Sequence, residues 1–112
     1  MNMSLPAAVS TFFAISNGGD PAQVADCFQP DASVIDEKQT HQGLDAIEDW
    51  QRKAQQAFTY QVEPVETSSD KGMLVVKANL EGNFPGSPVQ LDHVFELEDG
   101  LIRSLEIKPS AT

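Results

Sequence analysis

Few side chains in this sequence are placed to do chemistry, and two of them, Asp36 and His93, sit inside apolar patterns. Asp36 closes the run Ala32-Ser33-Val34-Ile35-Asp36, where an apolar pocket would desolvate the carboxylate and give it a pKa suited to general-base work. Its other reading is an exposed strand-end acid beside Glu37. His93 belongs to the alternation Val89, Leu91, His93, Phe95, Leu97, which turns it toward a pocket or core and leaves Asp92 on the face of Val94 and Glu96. An inward imidazole near a carboxylate can orient a group, donate to a developing oxyanion or shuttle a proton near neutral pH. The alternative is a core histidine bonded to a backbone carbonyl or to Tyr60.

The remaining candidates surround that pair. Trp50 serves as core or as a ring at the mouth of a cavity, and the two roles are compatible. Phe12, Tyr60 and Phe95 supply further apolar wall, which predicts a small apolar molecule as ligand. His41, in Thr40-His41-Gln42-Gly43, belongs to a pocket rim or to a loop. Metal binding needs several converging ligands; the two histidines lie far apart and Cys27 falls in an apolar stripe, so no metal is expected and no cofactor is implied. Between Ala25 and Phe28, Cys27 reads as a small core residue and not as a nucleophile. In Gly82-Asn83-Phe84-Pro85-Gly86-Ser87-Pro88 a stiff connection presents Phe84 at a loop tip, to cover the pocket or pack on a partner.

These groups need elements to hold them. Ser4 and Pro6 read as the start of a first helix over about residues 5 to 17, with Val9, Phe12, Phe13 and Ile15 on its buried side and Asn17-Gly18-Gly19 as its stop. Asp20-Pro21 opens a brief second helix carrying Val24, Ala25, Cys27 and Phe28, closed by Pro30. A short strand over 32 to 36 follows, and after Gly43 a third helix buries Leu44, Ile47, Trp50, Ala54 and Ala57. The period then changes to two through four consecutive segments with turn-rich separators, which predicts an antiparallel meander. Helices first and strands second give the α+β class, with helices laid across one face of the sheet.

Composition sets the outer limits. The 112 residues, 40% of them hydrophobic, suit a single domain spanning 1–112. A formal charge of −10 repels phosphate backbones and anionic lipid, so nucleic acid is excluded as a partner. No apolar run approaches the roughly 20 residues that cross a bilayer, no signal peptide is read at the start, and the single cysteine fits a cytoplasmic setting.

The order helix, helix, strand, long helix, four strands resembles the nuclear transport factor 2-like superfamily. The segments NGGDPAQVADCFQPDASVIDE, HQGLDAIEDW and GNFPGSPVQLDHVFELEDGLIRSLEI are similar to its SnoaL-like and ketosteroid isomerase-like branches. The resemblance implies a cone-shaped, curved antiparallel sheet covered by three N-terminal helices, as in cystatin-like folds. It also implies that Asp36 stands at the position of the isomerases' general base. Phe12 stands where those enzymes carry a tyrosine, so steroid isomerisation proper is not implied. Their oxyanion-hole aspartate aligns with Asp92 or His93, and His41 falls near the pocket rim. A homodimer through the outer sheet face is implied as well, for which Val65, Met73, Val75, Val94 and Ile102 are the apolar candidates. Two functions remain open: an isomerase, cyclase or lyase, possible polyketide cyclase-like chemistry included, with Asp36 as base and His93 as its partner on an apolar carbonyl substrate, or a non-catalytic module that binds a ligand or peptide.

Overall fold

The computed structural model describes residues 4–110. Helix α1 (Ala7–Ser16) leads through a 3₁₀ turn (Pro21–Gln23) and a single-turn α2 (Val24–Cys27) into strand β1 (Phe28–Asp36). Strand β2 (Gln39–Gln42) and helix α3 (Leu44–Ala57) follow, then β3 (Tyr60–Asp70), β4 (Met73–Gly82), β5 (Val89–Glu98) and β6 (Leu101–Pro109). The six strands form one sheet in the order β2-β1-β6-β5-β4-β3.

All strand pairs are antiparallel except β1 with β6, so the sheet is mixed, which corrects the expectation of a purely antiparallel one. The connection explains it. After the β1–β2 hairpin, α3 carries the chain across the sheet to the far edge, and the meander returns strand by strand until β6 arrives alongside β1. Two irregularities bend the ladder. Between β3 and β4 the pairing steps from Pro64↔Ala78 to Glu66↔Lys77, leaving Val65 unpaired. Between β5 and β6 it steps from Glu96↔Ser104 to Leu97↔Ile102, leaving Arg103 unpaired. An extra residue on one strand bends it and increases its local twist, which curls the sheet around the helices.

Inside the curl, Val9, Phe12, Phe13 and Ile15 of α1 pack with Val24, Cys27, Phe28, Ile47, Val76, Phe95, Ile102 and Leu105 in one core cluster. Ile102 is therefore fully buried and not an outer-face residue. The bulge at Arg103 shifts the alternation by one, so Ile102 and Leu105 both point inward despite a spacing of three. Phe28 likewise starts β1 and does not end a helix, and Pro30 lies within the strand, in the stretch where its pairing with β6 is irregular.

Two helix boundaries differ from expectation. Helix α1 begins at Ala7 with Pro6 as its N-cap and no side-chain cap, so Ser4 does not close it. At the other end Asn17 does more than stop the helix. Its Nδ2 donates to the Val62 carbonyl at 2.9 Å and its Oδ1 accepts from the Val62 amide at 2.6 Å, so a carboxamide pairs with edge strand β3 as a neighbouring strand would. Gln55 of α3 donates to the Ile15 and Gly19 carbonyls at 2.8 and 3.0 Å and ties the same helix end from the other side.

This double tie gives a direct test. Asn17→Ala leaves the Val62 amide and carbonyl without those partners and is expected to cost about 1–2 kcal/mol, read as a lower urea midpoint with unchanged slope.

Candidate functional site

The curl of the sheet leaves space between its inner face and helices α1 and α3. This cavity has a volume of about 810 Å³ and is walled by Phe12 and Ser16 from α1, Trp50 and Gln51 from α3, and inward side chains of β1 and β3 to β6. Strand pairing sets its working axis. Asp36 pairs with Ile107 and Ile107 pairs with His93, so carboxylate and imidazole share one cross-strand row on the cavity side, flanking Ile107. Their backbones are two strand spacings apart, roughly 9–10 Å.

Asp36 is half-buried at the end of β1, held by the turn Glu37-Lys38, where both residues adopt positive φ (52° and 64°). Such consecutive left-handed residues make a two-residue hairpin whose twist matches the flanking strands, even without glycine. The Trp50 Nε1–H donates to Asp36 Oδ2 at 3.1 Å and fixes the carboxylate's orientation. Burial raises the Asp36 pKa above the usual carboxylate range; the indole hydrogen bond works against that, the Glu37 charge adds to it, and His41 opposes it. Tyr60 lines the same cavity, and its phenol is raised by burial and then by the nearby Asp36 charge.

His93 is 3% exposed, which decides between the two alignments: the imidazole faces inward and Asp92 does not. Its ring sits against Phe12 and Phe13 edge-on, with centroids at 6.0 and 5.2 Å, and lies nearly parallel to Phe95 at 6.3 Å. Burial in this aromatic nest pulls its pKa down to about 4, so the ring is neutral at physiological pH. Its Nδ1 is buried without a hydrogen-bond partner. No bond to Tyr60 is made at that nitrogen, but backbone hydrogen bonds at Val76 and Leu91 partly offset the effect of burial on the ring, as expected of a core histidine.

The other predicted residues divide. Phe12 lines the cavity and stacks nearly parallel on Trp50 at 6.3 Å. His41 is not in a loop: it belongs to β2 opposite Val34, lines the mouth and stacks on Trp50 at 5.7 Å. The polar run Gln39-Thr40-His41-Gln42 carries no alternation to mark it as a strand, and it pairs only because the Glu37-Lys38 turn folds it back on β1. Phe95 is corrected: it is fully buried behind Phe12 and Phe13, belongs to the core and is not among the cavity-lining residues. Phe84 reaches the mouth from its loop and meets Phe58 edge-on at 6.2 Å. That loop is held by Asn83, which exchanges hydrogen bonds with Thr59, and it leaves Gly82, where any Cβ would collide with the Thr59 carbonyl and Tyr60. Cys27 is fully buried and its thiol is pushed up to about 12 by burial and by Asp26, which leaves no thiolate for nucleophilic work. Among the described residues no three His, Cys, Asp or Glu side chains converge as metal ligands do, and no helix is long and apolar enough to cross a membrane.

Two cavity residues carry no motif. Ser16 and Gln51 are 6% and 2% exposed, and the Gln51 Nε2 donates to Ser16 Oγ at 3.3 Å. The only trace of them in the sequence is Gln51 standing four residues after Ile47, on the side of α3 that is otherwise apolar.

A curved mixed sheet folded over helices, with an acid and an imidazole in one cavity, defines a class of small α+β pocket proteins. The SnoaL-like domain matches residues 9–105, and the chain belongs to that family. Among solved structures, a protein from Sinorhizobium meliloti provisionally named a polyketide cyclase is 40% identical, with a TM-score of 0.86 over 93% of this chain and 95% of its own. A Catenulispora acidiphila protein with a ketosteroid isomerase-like fold, crystallised with trimethylamine, is 18% identical, with a TM-score of 0.82 over 96% and 88%. TerC, crystallised with polyporic acid, is 15% identical, with a TM-score of 0.77 over 92% and 88%. The last two likenesses are of fold. No curated protein matches the sequence closely enough to carry an assignment.

The state of His93 gives a pH prediction. Its folded pKa lies below the unfolded value of about 6.5, so the stability it contributes is present above pH ~6.5 and is lost as pH falls through about 4. Asp36, raised by folding, works in the opposite sense and favours the folded state as acid protonates it. His93→Phe removes the first effect and leaves the second. Between pH 6.5 and 4 it is expected to gain on the order of 3 kcal/mol relative to the unsubstituted protein, measured by urea unfolding at each pH.

Proposed function

We propose that this protein is a cofactor-independent isomerase, cyclase or lyase that takes a small, largely apolar carbonyl compound into the cavity, with Asp36 as general base. The observation that carries the proposal is the Asp36 carboxylate. It is half-buried in an apolar cavity, oriented by the Trp50 N–H at 3.1 Å, and in one cross-strand row with a neutral, inward imidazole.

The chemistry follows from that pair. A raised pKa makes Asp36 a stronger base than an exposed carboxylate. It accepts a proton from the carbon beside the substrate carbonyl, and the C–H electrons move into the C–C=O unit to give an enolate. His93, uncharged, donates an N–H to the enolate oxygen without first having to lose a proton; a donor set in a dry site stabilises that charge more than water does. The spacing of roughly two strands leaves room for a C–C=O unit with one hydrogen-bond-length contact at each end. Returning the proton to a different carbon isomerises the substrate; attack by the enolate carbon on a second carbonyl carbon closes a ring, the C=O π electrons moving to that oxygen, which takes back the proton held by Asp36. Phe12, Trp50, Tyr60 and the half-exposed Phe58 and Phe84 supply the apolar walls. The 40% identical Sinorhizobium meliloti protein, provisionally named a polyketide cyclase, supports the cyclase member of this set.

Solvent-deuterium exchange at the α-carbon of a ketone panel, followed by NMR, tests the role of Asp36. Asp36→Asn is expected to lower the rate at least ~100-fold. An undiminished rate removes Asp36 as the base. Ligand binding with no exchange in the unsubstituted protein makes the cavity a binding site only.

A homodimer through the outer sheet face belongs to the same proposal. Val75 and Val94 pair across β4 and β5, the row continues to Ile35 through Glu106, and Ile35 and Val65 are 39% and 37% exposed. Beside it the row Glu66, Lys77, Asp92, Lys108 alternates in sign, giving the face polar pairs around its apolar strip. Sedimentation is expected to give twice the chain mass, and Val94→Lys to give a folded monomer; a monomeric parent protein rules the dimer out. The single buried Cys27 fits the cytoplasmic setting that goes with this proposal.

A further inference from the structure

The cavity holds two buried polar side chains that the base and its partner do not use. Ser16 comes from the last turn of α1 and Gln51 from the middle of α3, and both are more than nine-tenths buried while lining the cavity. A glutamine on the buried stripe of a helix is a costly choice, since its desolvated amide must find partners. Helix clamping does not account for it. Gln55, one turn on, already binds α3 to the end of α1 through two carbonyls at 2.8 and 3.0 Å, and it does so from a half-buried position. The Gln51 bond to Ser16 Oγ is longer, at 3.3 Å, and consumes one of the two amide hydrogens. The Ser16 hydroxyl accepts that bond, and its own hydrogen has no acceptor among the described residues. One N–H and one O–H thus remain to be given, side by side, on the cavity wall.

We propose that Ser16 and Gln51 form a second polar subsite, which takes a hydrogen-bond-accepting oxygen of the ligand remote from its reacting carbonyl, so that the cavity prefers difunctional oxygenated molecules to simple ketones. The spacing follows from α1. Ser16 lies one turn beyond Phe12, whose ring stands between Trp50 and His93, so the second oxygen sits about 5–6 Å along the helix from the Asp36–His93 end. A fused bicyclic ketone with an oxygen substituent on its far ring fits that separation. A simple ketone of the same skeleton leaves both donors buried and unsatisfied, which is how a polar subsite discriminates more sharply than an apolar one. The inference rests on the proposed cavity as the ligand site and does not need Asp36 to act as a base.

The probes are 2-tetralone and 6-methoxy-2-tetralone, with binding read by Trp50 fluorescence and by calorimetry. The parent protein is expected to bind the methoxy compound about tenfold tighter. Ser16→Ala and Gln51→Met are each expected to abolish that preference, with 2-tetralone bound at least as tightly as by the parent once the donor it strands is removed, and an unchanged circular dichroism spectrum and urea midpoint report that each variant is folded. Asp36→Asn is expected to keep the preference. Equal affinities in the parent, a preference that survives both variants, or no binding of either ketone overturns the proposal. An intact preference together with α-proton exchange that Asp36→Asn does not slow leaves the subsite standing and defeats the general-base reading alone.

Discussion

The ring of Phe12 joins helix α1 to strand β1, helix α3 and strand β5. From α1 it meets Phe28 of β1, Trp50 of α3, and His93 and Phe95 of β5, at centroid distances of 5.7 to 6.3 Å. A single side chain can touch elements that far apart in the sequence only if the sheet bends around the helix that carries it. The unpaired residues Val65 and Arg103 supply that bend. The site inherits its geometry from this packing. Trp50, stacked on Phe12, is thereby aimed at Asp36, and His93, seated edge-on against the same ring, is kept dry and neutral. A tyrosine hydroxyl at position 12 would have to be satisfied inside this nest. With phenylalanine there, the polar atoms of the cavity come from the strands, from α3 and from Ser16 at the end of α1.

Desolvation then does opposite things to the two titratable groups in the row. It raises the acid and lowers the imidazole, so the pair is driven toward sharing less charge than either would carry in water. Trp50 limits the effect on Asp36 by stabilising the carboxylate, and backbone hydrogen bonds at Val76 and Leu91 limit the effect on His93 without overcoming it. The division comes from where each group sits in the curl.

Much of this was legible in the sequence because the strongest signals are periodic. The apolar stripe of α3, the four-strand meander and the inward His93 follow from spacings of 3.6 and 2 that the fold respects. The errors fall where periodicity breaks. A bulge at Arg103 put Ile102 in the core when simple alternation placed it outside. Strand β2 went unseen because Gln39-Thr40-His41-Gln42 is polar throughout and its turn, Glu37-Lys38, has neither glycine nor asparagine to announce two positive φ angles. Asp36 was readable as a candidate from its place after an apolar run. Its tie to Trp50 was not, because a contact between residues 14 apart on two different elements depends on how α3 lies across the sheet.

Ser16 and Gln51 were the least legible residues of the cavity, and the reason bears on what such sites are. Each looks locally like a helix residue of no consequence, and only the closed structure shows both buried against empty space. A core selected for stability alone would fill those positions with apolar atoms, as it does at Val9 and Ile47 on the same two helices. The Ser16 hydroxyl hydrogen is thus a local cost to the fold carried where a ligand could satisfy it, whereas His93 Nδ1, equally without a partner, is buried within the wall itself. Under the proposed function, the Ser16 and Gln51 donors are what would let an apolar wall tell one molecule from another.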